Sequence, residues 1–221
     1  MQAIKVFTKN FLNLLYPLHC LGCQTPLEAM NELRLCGHCI ASINRNAMPP
    51  FELDGLPVKA YSACLYDDAL KELVHSFKYK GKTILAKIFS KLMIDHIKDN
   101  PEIAGVDLVT AVPLHKDRLK EREFNQSLLI ANYISKEYSL ALTNTLEKTR
   151  KTRYQNELLK SERLKNLEGA FSVSPAADIK DKNILLIDDI MTTGSTLKEC
   201  AKTLLGGGAK DVKCFTLARG I

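Results

Sequence analysis

No stretch of about 18 uncharged apolar residues occurs anywhere in this 221-residue chain, so the sequence predicts no membrane-spanning helix. The start of the chain also lacks what a secretory leader needs. Lysines interrupt the apolar residues between Ile4 and Leu15, and no small-residue cleavage site follows. The apolar residues at 4, 7, 11, 12 and 15 instead make a helical stripe, read as a helix packed on its own protein, with membrane-surface binding as the alternative. An even cysteine count is missing too: seven cysteines speak against a disulfide framework. There is no internal repeat, which excludes a solenoid, and no low-complexity tract. What remains is ordinary globular composition, 46% apolar and 25% charged, sufficient for one full-sized domain with a small appendage.

The densest information lies between Asn183 and Leu197. Ile184 to Ile187 form an apolar run that reads as a buried parallel strand. Asp188 and Asp189 follow at its carboxyl end, where open α/β sheets bind ligands. A hydroxyl-rich turn of Thr192, Thr193, Gly194, Ser195 and Thr196 then opens into a predicted helix over Leu197 to Leu205. The backbone N–H groups of such a turn, the helix dipole and the hydroxyls together make an anion cradle. Carboxylates beside an anion cradle suit a sugar phosphate, whose phosphate enters the cradle while neighbouring ribose hydroxyls donate to the acids. Ordinary helix capping is the plainer reading, but a cap needs one polar residue, and here six surround a glycine.

Four of the cysteines fall into two knuckles, Cys20-x2-Cys23 and Cys36-x2-Cys39, separated by twelve residues. Paired knuckles present four thiolates at tetrahedral spacing and point to a structural zinc in a reducing compartment. A redox pair is the alternative, but it needs no second copy nearby. His19 and His38 flank the knuckles as bystanders, and Cys64, Cys200 and Cys214 read as small buried residues.

Downstream, turn-rich segments near Pro49-Pro50 and Gly55 predict a division between a module over 1–50 and a larger domain over 51–221. Strands are predicted at Val58–Tyr66, Asp107–Pro113, Phe171–Val173, Ile184–Asp188 and Val212–Leu217. Helices are predicted at Asp68–Tyr79, Lys82–Ile97 and Asn125–Lys136, with a polar helix or mobile segment over Gln155–Leu167. Helices between strands indicate βαβ units and a mostly parallel sheet.

Basic residues gather in three segments. Arg118, Arg122 and Asn125 follow the strand that ends at Val112-Pro113. Lys148, Arg150, Lys151 and Arg153 form a cluster in a stretch, 148–165, that carries a local charge of +5 out of a chain total of +6. Phe77-Lys78-Tyr79-Lys80-Gly81 is the third. A charge run is usually a solvated face, but these fall in loops expected around an anionic ligand, and pyrophosphate or nucleic-acid phosphates are the ligands they suit. For Lys160, Arg163 and Lys165 the two readings are balanced.

The acidic pair and Thr-Thr-Gly-x-Thr turn resemble the signature with which type I phosphoribosyltransferases bind phosphoribosyl pyrophosphate (PRPP). By that resemblance Asp188 and Asp189 hold the ribose hydroxyls, Thr192 to Thr196 wrap the 5′-phosphate, and Mg²⁺ accompanies the ligand. The whole order of motifs resembles the ComF family of bacterial competence and DNA-utilisation proteins, which joins a four-cysteine zinc module to a phosphoribosyltransferase-like domain. The match runs through Val112-Pro113, Arg118, Arg122, Phe124-Asn125-Gln126, Thr152, Gln155, Arg163, Asn166, Phe171 and Asp188 to Thr196. It departs at Glu123, where the family usually has glycine. The resemblance implies a cytoplasmic protein, or one peripheral at the inner membrane, that handles incoming single-stranded DNA, with other competence proteins as partners. Its phosphates would meet the basic loops, and Tyr79, Phe124 and Tyr154 would offer stacking faces. The alternative is an active phosphoribosyltransferase, although no segment names a nucleobase acceptor.

Overall fold

The computed structural model describes residues 17–28, 31–45, 48–152 and 166–220. The predicted helix near the start of the chain, Arg153 and most of the predicted element over 155–167 lie outside these residues.

The four-cysteine region comes first. A short antiparallel pair, β1 (Leu18–His19) and β2 (Pro26–Leu27), precedes a single helical turn, α1 (Gly37–Ala41). The described residues of this region form no separate core. Cys20, Leu27, Leu35 and Ile43 are buried in the same apolar cluster as the main domain's helices, and Lys87 reaches Glu32 at 2.8 Å across the join.

The main sheet contains β3 (Phe51–Glu52), β4 (Lys59–Leu65), β5 (Leu108–Ala111), β6 (Ala141–Leu142), β9 (Asn183–Met191) and β10 (Asp211–Arg219), in the order β3-β4-β10-β9-β5-β6. Only the β3–β4 edge is antiparallel; the other pairings are parallel. This is the mostly parallel sheet that the alternation of elements predicted. The period-2 alternation of β9 divides the core into two layers. Leu185 and Ile187 face α2 (Asp68–Tyr79), α3 (Leu85–Asp99) and α5 (Gln126–Glu137), with Phe77, Phe89 and Ile134 packed among them. Ile184 and Leu186 face α6 (Ser195–Gly206) and its buried Leu197, Cys200 and Leu204. Cys64, Cys200 and Cys214 are all buried, as their apolar settings suggested.

Three differences from the sequence expectations have clear physical causes. Strand β9 does not stop at Asp188 but continues to Met191, because β10 goes on pairing with it through Thr216↔Asp188 and Arg219↔Met191. The segment after Pro113 is a helix, α4 (Lys116–Arg122), rather than open loop. His115 starts it by accepting the Asp117 amide, and Glu123 ends it in the left-handed region at φ 65°. Glycine adopts that conformation without a Cβ penalty, which accounts for glycine in the family pattern. The exposed Glu123 side chain lies along a neighbouring groove rather than in the main cleft. Finally, β7 (Leu146–Lys148) and β8 (Phe171–Val173) form a separate antiparallel pair that flanks the segment between them. Three residues are too few for β7 to show a period in sequence.

Candidate functional site

The register of the sheet creates the site. β5 ends opposite Ile187 at Ala111, while β9 runs on beside β10 alone. Asp188 and Asp189 therefore sit where β9 has outrun its neighbour, at the carboxyl edge of the parallel strands. Oδ1 of Asp188 accepts the Ser127 hydroxyl at 2.8 Å and the Asp189 amide at 2.9 Å. Asp189 is buried at 8% exposure and receives the Lys78 ammonium at 2.9 Å on Oδ1 and 2.8 Å on Oδ2. Burial and the adjoining Asp189 carboxylate push Asp188 up to about 7.

Beyond the acids, the chain turns through Thr192 and Thr193 into α6. Gly194 occupies the cap position at φ 74° and gives the first turn no side-chain cap. A Cβ there would stand 3.0 Å from Leu53 Cδ2 and 3.2 Å from Phe51 Cε1, so glycine is required by both conformation and space. The Thr193 and Ser195 hydroxyls lie 2.7 Å apart. Asp188 and residues 190–197 enclose a small hollow at the helix start, where the N-terminal amides and dipole of a twelve-residue helix favour an anion.

This hollow adjoins a cleft of about 380 Å³ with an acidic floor and basic walls. α2 supplies Lys71, His75, Lys78 and Tyr79, α4 supplies Arg118 and Arg122, and the β7–β8 pair supplies Lys148 and Phe171. The Lys148 ammonium stands 5.4 Å from the centre of the Phe171 ring. Burial first, and then the charge of Arg118, lower its proton affinity. Arg122 bonds Gln126 at 3.1 Å and the Tyr79 hydroxyl at 3.2 Å.

Other candidates lie elsewhere. Asn125 caps α5, accepting the Ser127 and Leu128 amides and donating to the Val112 carbonyl. Arg150 donates to the carbonyls of Asn166 and Glu168, at 3.1 and 2.8 Å, and so ties together the two ends of the 150–168 segment. Lys151 pairs with Asp117 at 2.7 Å. The structure thus brings Arg118, Arg122, Lys148 and the acid–hydroxyl loop together, while Asn125, Arg150 and Lys151 have local partners. Sequence reasoning did not single out Ser127 or His75. It flagged the Phe77–Gly81 segment, but nothing in it showed that Lys78 would reach a carboxylate 111 residues away.

At the other end of the chain, the Sγ atoms of Cys20, Cys23, Cys36 and Cys39 all lie within 4.8 Å of one another and could hold a metal ion. The Cys23–Cys36 separation is 3.6 Å, near the roughly 3.8 Å between thiolates on tetrahedral zinc. A Cβ at Gly22 would come 2.8 Å from Cys39 Sγ, so the knuckle closes only around glycine.

The phosphoribosyl transferase domain family matches residues 126–221, spanning the whole acid–hydroxyl loop. Fold and site together define a phosphoribosyltransferase-type domain joined to a four-cysteine cluster. The chain is 32% identical over 203 residues to the competence protein ComFC of Streptococcus pneumoniae (strain ATCC BAA-255 / R6), covering 90% of this chain and 87% of that protein. It is 28% identical over 200 residues to the DNA utilization protein YhgH of Escherichia coli (strain K12), covering 89% and 82%. Among solved structures, it is similar to adenine phosphoribosyltransferase from Thermoanaerobacter pseudethanolicus, with 13% identity, a TM-score of 0.40, and coverage of 81% and 97%. The chain belongs to the ComF family of competence and DNA-utilisation proteins. Among the described residues, no helix is long and apolar enough to cross a membrane.

The raised Asp188 value carries a pH dependence. The folded chain holds a proton that the unfolded chain releases near the ordinary value of 3.8, so Asp188 lowers stability as pH rises from 3.8 through about 7. Asp188→Asn keeps an oxygen to accept the Ser127 and Asp189 bonds but removes this slope. Its stability relative to wild type, from urea midpoints, should increase between about pH 5 and pH 8. A pH-independent gap would show that Asp188 ionises normally in the folded chain.

Proposed function

We propose that this protein handles single-stranded DNA in the cytoplasm during competence or DNA utilisation and carries a PRPP-type ribose-phosphate site, with Mg²⁺ entering alongside the ligand. The observation that carries the ligand reading is the juxtaposition of an acid pair with an uncapped helix start on one cleft floor. The cradle suits a 5′-phosphate, the acids suit a free vicinal diol, and Arg118, Arg122 and Lys148 suit a pyrophosphate. Ser127 and Lys78 orient the two carboxylates. Mg²⁺ binds through a carboxylate or two plus substrate phosphates, and the acid pair with basic walls fits that arrangement only when a phosphate ligand is present. When bound, the ion would draw negative charge from the departing pyrophosphate.

DNA and the ribose phosphate need different surfaces. An internal deoxynucleotide has no free hydroxyl to donate, so it cannot use Asp188 and Asp189 as the vicinal diol of a ribose phosphate would. The rim suits it better: Lys80 and Lys82 are exposed beside Tyr79, which is 59% exposed and has the Arg122 guanidinium 5.1 Å from its ring centre. Exposed cations and an aromatic face are what a single strand requires. Other competence proteins are expected partners, as the family membership suggests. An active phosphoribosyltransferase is the second reading, supported by a cleft of about 380 Å³ in which His75 and Tyr79 line the same space as the acid pair.

Calorimetry with PRPP tests the site directly. Binding should require Mg²⁺, and Asp189→Ala should weaken it by about 1–3 kcal/mol by removing the acceptor of the ribose hydroxyls. Thr193→Ala should cost less. Pyrophosphate release with any nucleobase would promote the transferase reading, while no PRPP binding in the presence of Mg²⁺ would refute the ribose-phosphate site.

DNA binding should be stronger for single strands than for duplex and should fall steeply with salt. Replacing Lys80 and Lys82 by alanine should reduce the salt slope by about 1.4, roughly 0.7 for each lost phosphate contact. An unchanged slope would remove this rim from the DNA path.

The four-cysteine cluster is proposed to hold a structural zinc, since a closed thiolate set leaves no open position for catalysis. Elemental analysis of protein purified without added metal should give about one zinc per chain. Cys36→Ser should lose the metal and loosen the region around residues 17–42 while PRPP binding persists. A metal-free chain with that region still protease-resistant would contradict a structural role.

A further inference from the structure

Lys78 lies in the last turn of α2, where the helix dipole favours a cation. Its side chain is 19% exposed and that of Asp189 11%, so this ion pair is largely withdrawn from water. The ammonium engages both oxygens of Asp189, at 2.9 and 2.8 Å, and Oδ1 also accepts the Ile190 amide at 2.7 Å. A divalent cation arriving from solvent would have to displace the ammonium from both oxygens, in surroundings that screen the attraction weakly. Adjacent carboxylates at a strand end would otherwise offer a ready oxygen pair.

We propose that Lys78 is a positioning residue that acts as the built-in counter-ion of Asp189, keeping free divalent cations off the acid pair and admitting metal only together with a polyphosphate ligand. This rests on the ribose-phosphate reading for the identity of the ligand, but the counter-ion role itself stands on the ion pair. Lys78 lines the same cleft as Arg118, Arg122 and Lys148. A ligand bearing pyrophosphate brings negative charge to the ammonium and loosens its hold on Asp189. The same phosphates supply the oxygens that a small hard cation still needs. Ribose 5-phosphate lacks the second anionic group and leaves the ion pair closed.

The test uses Mn²⁺ as the probe, followed by water-proton relaxation on the full-length, metal-loaded chain. Asp189→Asn gives the baseline for Mn²⁺ bound elsewhere. Wild type should take up Mn²⁺ above that baseline when PRPP is present, and not with Mn²⁺ alone or with ribose 5-phosphate. Lys78→Met and Lys78→Gln should bind Mn²⁺ alone about tenfold more tightly than wild type, whereas Lys78→Arg, which keeps the charge, should behave as wild type. The glutamine variant retains a donor for Asp189 and covers the case in which the methionine variant fails to fold. Free Mn²⁺ binding that is equal in wild type and the neutral variants would overturn the proposal. Failure of wild type to bind PRPP would instead strike the ribose-phosphate reading, because the Lys78 comparison is read from Mn²⁺ alone.

Discussion

The parallel pairing of β9 with β10 is the constraint on which both fold and site depend. The two strands are nine residues each and stay in register from Asp211↔Asn183 to Arg219↔Met191. Their central residues are buried on both faces, so a one-residue slip would exchange the two core layers. That fixed register carries Asp188 and Asp189 past the end of β5 and brings Gly194 against Phe51 and Leu53. Core packing, acid placement and the start of α6 are thus consequences of one pairing.

The electrostatics follow from this placement. Burial, and then the neighbouring carboxylate, oppose full ionisation of the acid pair, as the raised Asp188 value reflects. The fold answers with cations carried on separate elements: Lys78 from α2, Arg118 and Arg122 from α4, Lys148 from β7. Because these elements meet only in the folded chain, the cleft is an assembled charge pattern rather than a basic stretch of sequence. The densest basic run proves to be partly engaged with partners on the protein's own surface. Arg150 holds backbone carbonyls and Lys151 holds Asp117, so net charge over a window overstates what is available to a ligand.

What was legible in the sequence was local. The helix at Asp68–Tyr79 has the bounds expected from the sequence, and in the structure Asp67 caps its start. The apolar run into Asp188 announced β9, and the spacing of four cysteines announced their cluster. The parts that were missed depend on distant partners or on short segments. α4 has no apolar stripe of its own and is set by its cap at His115 and its left-handed end at Glu123. Asn125, read from the sequence as an anion contact in the segment after Pro113, has its side chain engaged as the cap of α5. The Lys78–Asp189 pair joins residues with no periodic relation in sequence, and only the tertiary fold reveals it.

The four-cysteine region bears on the cleft through α3 rather than by direct contact with the ligand loop. Leu35 and Ile43 share a buried cluster with Leu85, Phe89 and Phe77, and Phe77 immediately precedes Lys78. Phe77 packs edge-on against Phe89 at 5.4 Å and at a tilt against Phe124 at 5.7 Å. Close-packed cores transmit displacement because they have little free volume. The end of α2 that carries Lys78 therefore borders the same apolar cluster as the buried residues of the cysteine region, while the acid pair itself is placed by the β9–β10 pairing and does not require the cysteine cluster to be closed.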